Sequence, residues 1–451
     1  MPRPYNVRND SQMAYASAPP PPAPSRRTGN RVMASTIIGA HAFEHFFSNA
    51  IPLLTTFIAA DMGLSALQVG IIVAVRSACG GLTSVTGGFL ADLFHHRVAW
   101  VLSISAFLSG VGLLLMAVSP SFALLLFALA CASSGAALWH PPALGLLAQR
   151  FPRRRALFIS MHRSTGSIGD VLGPMAAGIL LLGALQWEAS DGLTVGWKLE
   201  WEPIGWRLWL AVSAPVMIVS AFIIYGLLRH AGNAPPLNIN IVQRMRHQWD
   251  STRVAFRGTG LWAIFAVSAV RGMADGSLLF LVPLYMTQAL GVNSFQAAAH
   301  LALMVGPAMV TAPLIGALSD KMGRKSLIVF LMAFTTVLTA AIPLGGQQYS
   351  PWITVCVALY GLQHFTVINL TSAAAADVAA RYRLESSFLG LMWGNNVLFG
   401  AVAAVFIFGP IEWLDWQYGF FIAAGIYFVG LLASLMIPSD RRGPEPAAAS
   451  A

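Results

Sequence analysis

Gly316-Ala-Leu-Ser-Asp320-Lys-Met-Gly323-Arg324-Lys325 closes one long apolar run, and Gly88-Phe-Leu-Ala-Asp92 closes another, half a chain length earlier. A glycine, an acid four residues on and a basic cluster behind it recur at the same kind of boundary. In the first copy His95 and His96 stand where the second has Gly323 and a basic residue, and only Arg97 keeps its charge. A boundary motif repeated at half-length points to duplication. The chain reads as two similar halves, each built of apolar segments.

The surrounding composition says what those segments are. The 451 residues are 56% apolar and only 10% charged, where soluble domains carry about 25% charge. Mean hydropathy is +0.66. A water-soluble enzyme, a secreted disulfide scaffold and a disordered chain are excluded by that balance. Cys79, Cys131 and Cys356 stand singly in apolar stretches, so no disulfide framework and no cysteine metal site follows.

Apolar segments fall at 34–59, 66–90, 98–118, 121–148, 157–185, 205–229, 259–289, 296–318, 326–345, 352–377, 386–410 and 417–437. Each is long enough to cross a hydrocarbon core, which takes about 20 helical residues. Backbone polar groups cannot face lipid unpaired, so the spans are helices. The alternating short segments of a β-barrel are missing. The prediction is an all-α membrane protein with twelve transmembrane helices in two six-helix pseudo-repeats.

Charge placement orients it. Of 27 Lys and Arg, twenty-two fall in the tails and in loops on one side, and only Lys198 and Arg207 fall on the other. Arg76, Arg163 and Arg271 lie inside spans. By the positive-inside rule both termini are cytoplasmic, and the expected membrane is the bacterial inner (plasma) membrane. The expected divisions are a disordered tail at 1–33, a six-helix half at 34–229, a cytoplasmic loop at 230–258, a second half at 259–437 and a tail at 438–451. No cleaved signal peptide is expected ahead of the first span.

These features resemble the major facilitator superfamily. Gly316–Lys325 fits its loop signature G-x-L-x-D-x-x-G-R-K at every defined position. The resemblance implies a cytoplasmic gate made of Gly88, Asp92 and Arg97 in one half, and of Gly316, Asp320, Gly323, Arg324 and Lys325 in the other. Span five carries Gly169-Asp170-Val-Leu-Gly173-Pro174-Met-Ala-Ala-Gly178, similar to the antiporter signature G-x-x-x-G-P-x-x-G-G with one Ala for Gly. Glycines at this spacing also suit a close helix-packing face. Within the superfamily, His41-Ala-Phe-Glu44-His45 and Ser133-Ser-Gly-Ala-Ala-Leu-Trp139-His140-Pro141 resemble segments of the fosmidomycin-resistance exporters. The acid of span one sits one residue early, and Pro142 stands where that group has an acid.

Ionisable groups within spans mark functional candidates. His41, Glu44, His45, Ser48 and Asn49 share one helical stripe of span one. Such a stripe faces water or a polar neighbour. Glu44, His41 and His45 are candidate proton carriers, or else a static hydrogen-bonded cluster. Arg271 and Asp275, spaced i and i+4 in span seven, are either a closed ion pair or a switch opened by protonating Asp275. Candidate substrate contacts are Arg76, Arg271, His140, Asn369, Trp393, Asn395 and Asn396.

His41-x-x-Glu44-His45 formally fits a zinc-enzyme pattern, but no third ligand is evident along the chain. No metal ligand set and no cofactor is therefore read. Positive-inside topology accounts for the basic loop without nucleic acid, and no nucleotide-binding P-loop pattern suggests ATP drive. The expected function is secondary transport: proton antiport and efflux of a small organic compound by a monomer in the bilayer, of the antibiotic-resistance kind. The alternatives are a proton symporter importing an organic acid or another nutrient, a metal or metal-chelate transporter, and a membrane receptor or scaffold that keeps the fold.

Overall fold

The computed structural model describes residues 29–93, 95–151, 154–182, 184–187, 197–200, 202–231, 241–256, 260–380 and 385–438. Among them, eleven helices are long and apolar enough to cross a membrane. Span one supplies the twelfth crossing as two shorter helices, α1 (Asn30–Ser48) and α2 (Ile51–Met62). The polar stripe dilutes the hydropathy of α1. Pro52 lies in the first turn of α2 and has no N–H to donate backwards, so the helix restarts there. Both tails are mostly outside the described residues.

The rest of the first half is α3 (Ala66–Leu93), α4 (Val98–Ala117), α5 (Phe122–Arg150), α6 (Arg155–Leu182) and α7 (Trp206–Leu228). A short antiparallel hairpin, β1 (Ala184–Trp187) with β2 (Trp197–Glu200), lies between α6 and α7. The basic central segment holds a helix that hydropathy does not announce, α8 (Ile241–Phe256). It is too polar and too short to span.

The second half begins with α9 (Leu261–Leu284) and its π-helical continuation Tyr285–Ala289. Span eight is broken into α10 (Ser294–Val305) and α11 (Ala308–Met322) at Gly306-Pro307. Then follow α12 (Arg324–Ala341), α13 (Pro351–Gln363), α14 (Thr366–Ala380), α15 (Glu385–Leu398), α16 (Gly400–Phe408) and α17 (Trp416–Leu435). Span ten breaks at His364-Phe365, and span eleven at Phe399.

The loop motif explains itself at one glycine. Gly323 joins α11 to α12 with φ of 87°, a conformation side chains resist. In the first half, where His95 replaces that glycine, His95–Arg97 runs instead as a 3-10 turn. Lys325 Nζ donates to the Leu435 carbonyl at 2.8 Å, so a basic group of the motif meets the C-terminal end of α17. The carboxylates of Asp92 and Asp320 lie outside the described side chains. A Cβ on Gly316 would meet nothing within 4 Å, so packing gives no reason for glycine there.

The halves meet along two seams of small residues. On the first, α3 runs against α15 and α16. A Cβ on Gly81 would strike the Leu398 backbone, and one on Gly394 would crowd Val85 and the Gly81 carbonyl. On the second, α6 meets α10: Gly178 faces Ala298, and Ser294 Oγ donates to the Gly178 carbonyl at 2.8 Å. The other glycines of that motif act within the first half. Cβ atoms on Gly169 and Gly173 would strike the carbonyls of Ala42 and Phe46, so spans one and five touch backbone to backbone.

Candidate functional site

A cavity of about 630 Å³ lies between the halves. Spans one, two, four and five line one wall; spans seven, eight, ten and eleven line the other. Glu44, His45, Arg76, His140, Arg163, Asp170, Arg271, Asp275, Trp393 and Asn396 all border it. A space walled by both halves and lined by buried charges is what a rocking transporter needs at its centre.

On the C-terminal wall, Arg271 and Asp275 form the ion pair that their spacing suggests. Each is 4% exposed. Tyr360 donates its hydroxyl to Asp275 Oδ1 at 2.6 Å, and Tyr427 donates to the same oxygen. Arg271 also donates to the His364 carbonyl, which the break in span ten turns into reach. His364 Nδ1 lies 3.5 Å from Asp275 Oδ2. Spans seven, ten and twelve thus converge on one carboxylate. A buried charge is tolerable only with such partners.

On the N-terminal wall, His45 Nδ1 faces Asp170 Oδ1 at 2.5 Å. Asn49 Nδ2 donates to the same oxygen at 2.5 Å. Arg76 donates to Asn49 Oδ1 at 2.8 Å and to the Ser48 carbonyl at 3.3 Å. Arg76 and Asp170 are therefore linked through an amide. Glu44 is 4% exposed; its Oε2 lies 3.6 Å from His45 Nε2, and its Oε1 has no hydrogen-bond partner.

Two arginines reach across the cavity to aromatic rings of the other half. The Arg163 guanidinium lies 4.0 Å from the Phe365 centroid and 4.9 Å from that of Trp393. Arg76 lies 5.8 Å from the Phe280 centroid. These are cation–π contacts between halves. One guanidinium nitrogen of Arg163, Nη2, is buried without a hydrogen-bond partner.

Two candidate substrate contacts fall elsewhere. Asn369 is exposed on α14 and is not among the residues bordering the cavity. Asn395 turns its amide to the Phe265 carbonyl at 2.8 Å, away from the cavity. Asn396, one residue on, borders the cavity and donates to the Ser268 carbonyl at 2.8 Å. His300 is held as packing, by the Gln296 carbonyl and Thr354 Oγ1. Sequence reading missed Tyr360, Tyr427, Phe365 and His162. His162 stacks on His41 with centroids 3.6 Å apart, and its carbonyl accepts from His41 Nδ1 at 2.7 Å. His41 itself is 1% exposed behind the cavity wall.

Twelve membrane helices in two halves, enclosing a charged central cavity, are the build of a multi-pass transporter. The chain belongs to the Major Facilitator Superfamily, whose sequence profile matches residues 37–404. Among curated proteins it is 22% identical to the fosmidomycin resistance protein of Escherichia coli over 396 residues, 86% of this chain and 91% of that one. It is 24% identical to the MFS-type transporter YcxA of Bacillus subtilis over 405 residues, 88% of this chain and 90% of that one. Among solved structures, an inward-facing bacterial homologue of the lysosomal transporter Spinster superposes with a TM-score of 0.71 at 15% identity, covering 92% of this chain and 98% of the other. The nucleoside transporter NupG superposes at 0.67 and 14% identity, over 90% of this chain and 100% of its own. Both likenesses are of fold.

Proposed function

We propose that the protein is a proton-coupled exporter of a small organic compound, working as a monomer in the inner membrane with both termini cytoplasmic. Residues 34–229 would rock against 259–437 about the central cavity. One observation carries the coupling: Asp275 binds Arg271, Tyr360 and Tyr427 at once, in the cavity wall. Ionised, it ties spans seven, ten and twelve together. Protonated, it gives up the charge that holds them, and span seven is released to move. Glu44 lines the opposite wall as a second carboxylate; the coupling is assigned here to Asp275.

Arg76, Arg163 and Arg271 would hold an anionic or polar ligand group, with Trp393 as an aromatic wall and His140 and Asn396 as hydrogen-bonding groups. The loop motifs, Asp92 and Arg97 in one half and Asp320, Arg324 and Lys325 in the other, would gate the cytoplasmic side. The export direction draws on the likeness to a fosmidomycin resistance protein and on the Gly-Pro pattern of span five. One observation favours symport as a second reading. Protonating Asp275 frees Arg271 for an anion, so proton and anion would bind together, and the gradient would drive both inward.

The test uses an efflux-deficient bacterium expressing wild type or Asp275→Asn, grown across toxic compounds that include phosphonates. Resistance that disappears in Asp275→Asn supports proton-linked export. Greater sensitivity with wild type than without it transfers the reading to import. Resistance fully kept in Asp275→Asn removes that residue from the coupling.

A further inference from the structure

We propose that His41, His45 and His140 form a binding site for one divalent transition metal of the zinc class, filled from the central cavity. His41 Nε2 lies 3.2 Å from His140 Nε2, and His45 Nε2 lies 3.4 Å from the same atom. All three ligand atoms fall within 4.8 Å of one another. Zinc–imidazole bonds of about 2.0–2.1 Å in a tetrahedron set ligand nitrogens about 3.3–3.4 Å apart. Two of the three pairs stand at that spacing and the third within 4.8 Å.

The opposite edges of the rings settle where the protons are. His41 Nδ1 faces the His162 carbonyl at 2.7 Å. His45 Nδ1 faces the Asp170 carboxylate at 2.5 Å. His140 bonds the Ala136 carbonyl one helical turn back. The His162 carbonyl and the Asp170 carboxylate both accept, so Nδ1 of His41 and of His45 carries the hydrogen and their Nε2 atoms keep lone pairs. Both lone pairs point at His140 Nε2, so three imidazole nitrogens meet where a cation can bind them together. Imidazoles anchored at Nδ1 by a carboxylate or carbonyl are the usual outer arrangement of metal-binding histidines.

The surroundings fix the site before any metal arrives. His41 is stacked on His162, and Trp139 Nε1 donates to His162 Nε2 at 3.3 Å. Gly166 leaves the room that the His41 ring occupies; a Cβ there would collide with it. Asp170 and Glu44 set negative charge beside His45 against the positive charge of Arg76 and Arg163. The unpartnered Glu44 Oε1 is a free oxygen donor close by. His45 and His140 border the cavity, which gives an ion its entry. Three imidazoles and no thiolate suit Zn(II), Ni(II) or Co(II) better than Cu(I). A fourth coordination position remains for an oxygen donor.

The site is tested without reference to transport. Full-length, tag-free protein in lipid nanodiscs is stripped with chelator, then titrated with zinc and separately with cobalt(II) as a visible probe. One zinc per chain and tetrahedral cobalt bands are expected in wild type and in His300→Ala. In His140→Ala the affinity falls at least tenfold, since even outer partners of metal ligands cost about 10–100-fold. His140→Cys keeps a ligand, so it retains zinc and adds a thiolate–cobalt charge-transfer band; it decides the matter if His140→Ala does not fold. Wild type that binds no zinc, or His140→Ala that binds it like wild type, overturns the proposal.

Discussion

Arg163, in the first half, lies with its guanidinium 4.0 Å from the ring centroid of Phe365, in the second. The contact spans the cavity at a break in span ten, where two helices, α13 and α14, meet and a ring can turn inward. It is among the contacts that must change if the halves rock. A double-mutant cycle between Arg163→Met and Phe365→Leu, read by unfolding in detergent, is expected to give a coupling of about 0.5–2 kcal/mol. A coupling of zero would reduce Phe365 to packing.

The Arg271–Asp275 pair makes an asymmetric prediction. Removing Arg271 alone, in Arg271→Met, strands a buried carboxylate and is expected to cost about 3–5 kcal/mol. Arg271→Met with Asp275→Asn should recover most of that loss. Thermal unfolding of the two purified variants checks it. A double variant as unstable as the single would mean that Arg271 matters for shape and not for charge.

Glycines of the two motifs should differ sharply. Gly173→Ala drives a methyl into the Phe46 carbonyl and is expected to destabilise by about 1–3 kcal/mol, because spans one and five cannot separate freely. Gly316→Ala meets open space and should fall within about 0.5 kcal/mol of wild type. Melting temperatures of the pair decide whether spacing or signature governs these positions.

Gly323 gives the fourth prediction. At φ of 87°, Gly323→Ala is expected to cost about 1–2 kcal/mol. His95, the corresponding position in the first half, sits in a 3-10 turn, and His95→Ala should cost less. Comparing the two in one denaturation series tests whether the two loops are built on unlike backbones.

Helical periodicity and hydropathy carried the fold, because lipid forces every span to satisfy its own backbone. They also put His41, Glu44, His45, Ser48 and Asn49 on one face, and Arg271 within reach of Asp275. Spacing along one helix cannot show which other helix faces it. Tyr360 and Tyr427 carry no charge, so only the convergence of three spans on Asp275 reveals them. His140 was visible, but its meeting with His41 and His45 depends on spans one and four lying side by side. Asn395 and Asn396 are neighbours about 100° apart on a helix, and only the second borders the cavity; the sequence alone does not say which of the two faces inward. Asn369 follows Phe365 by four residues, and its N–H bonds the Phe365 carbonyl at 3.2 Å, yet only Phe365 borders the cavity, which helical phase alone did not foretell.

The seam between α3 and spans α15 and α16 has a mechanical consequence. Gly81 rests on the Leu398 backbone, and Gly394 rests beside Val85 and the Gly81 carbonyl. Large side chains interlock like gear teeth, and turning one helix over another would require each tooth to disengage. Here glycine removes the teeth on both sides. If the halves rock as proposed, that edge serves as a smooth bearing, on which one can roll over the other with fewer rotamers to unlock.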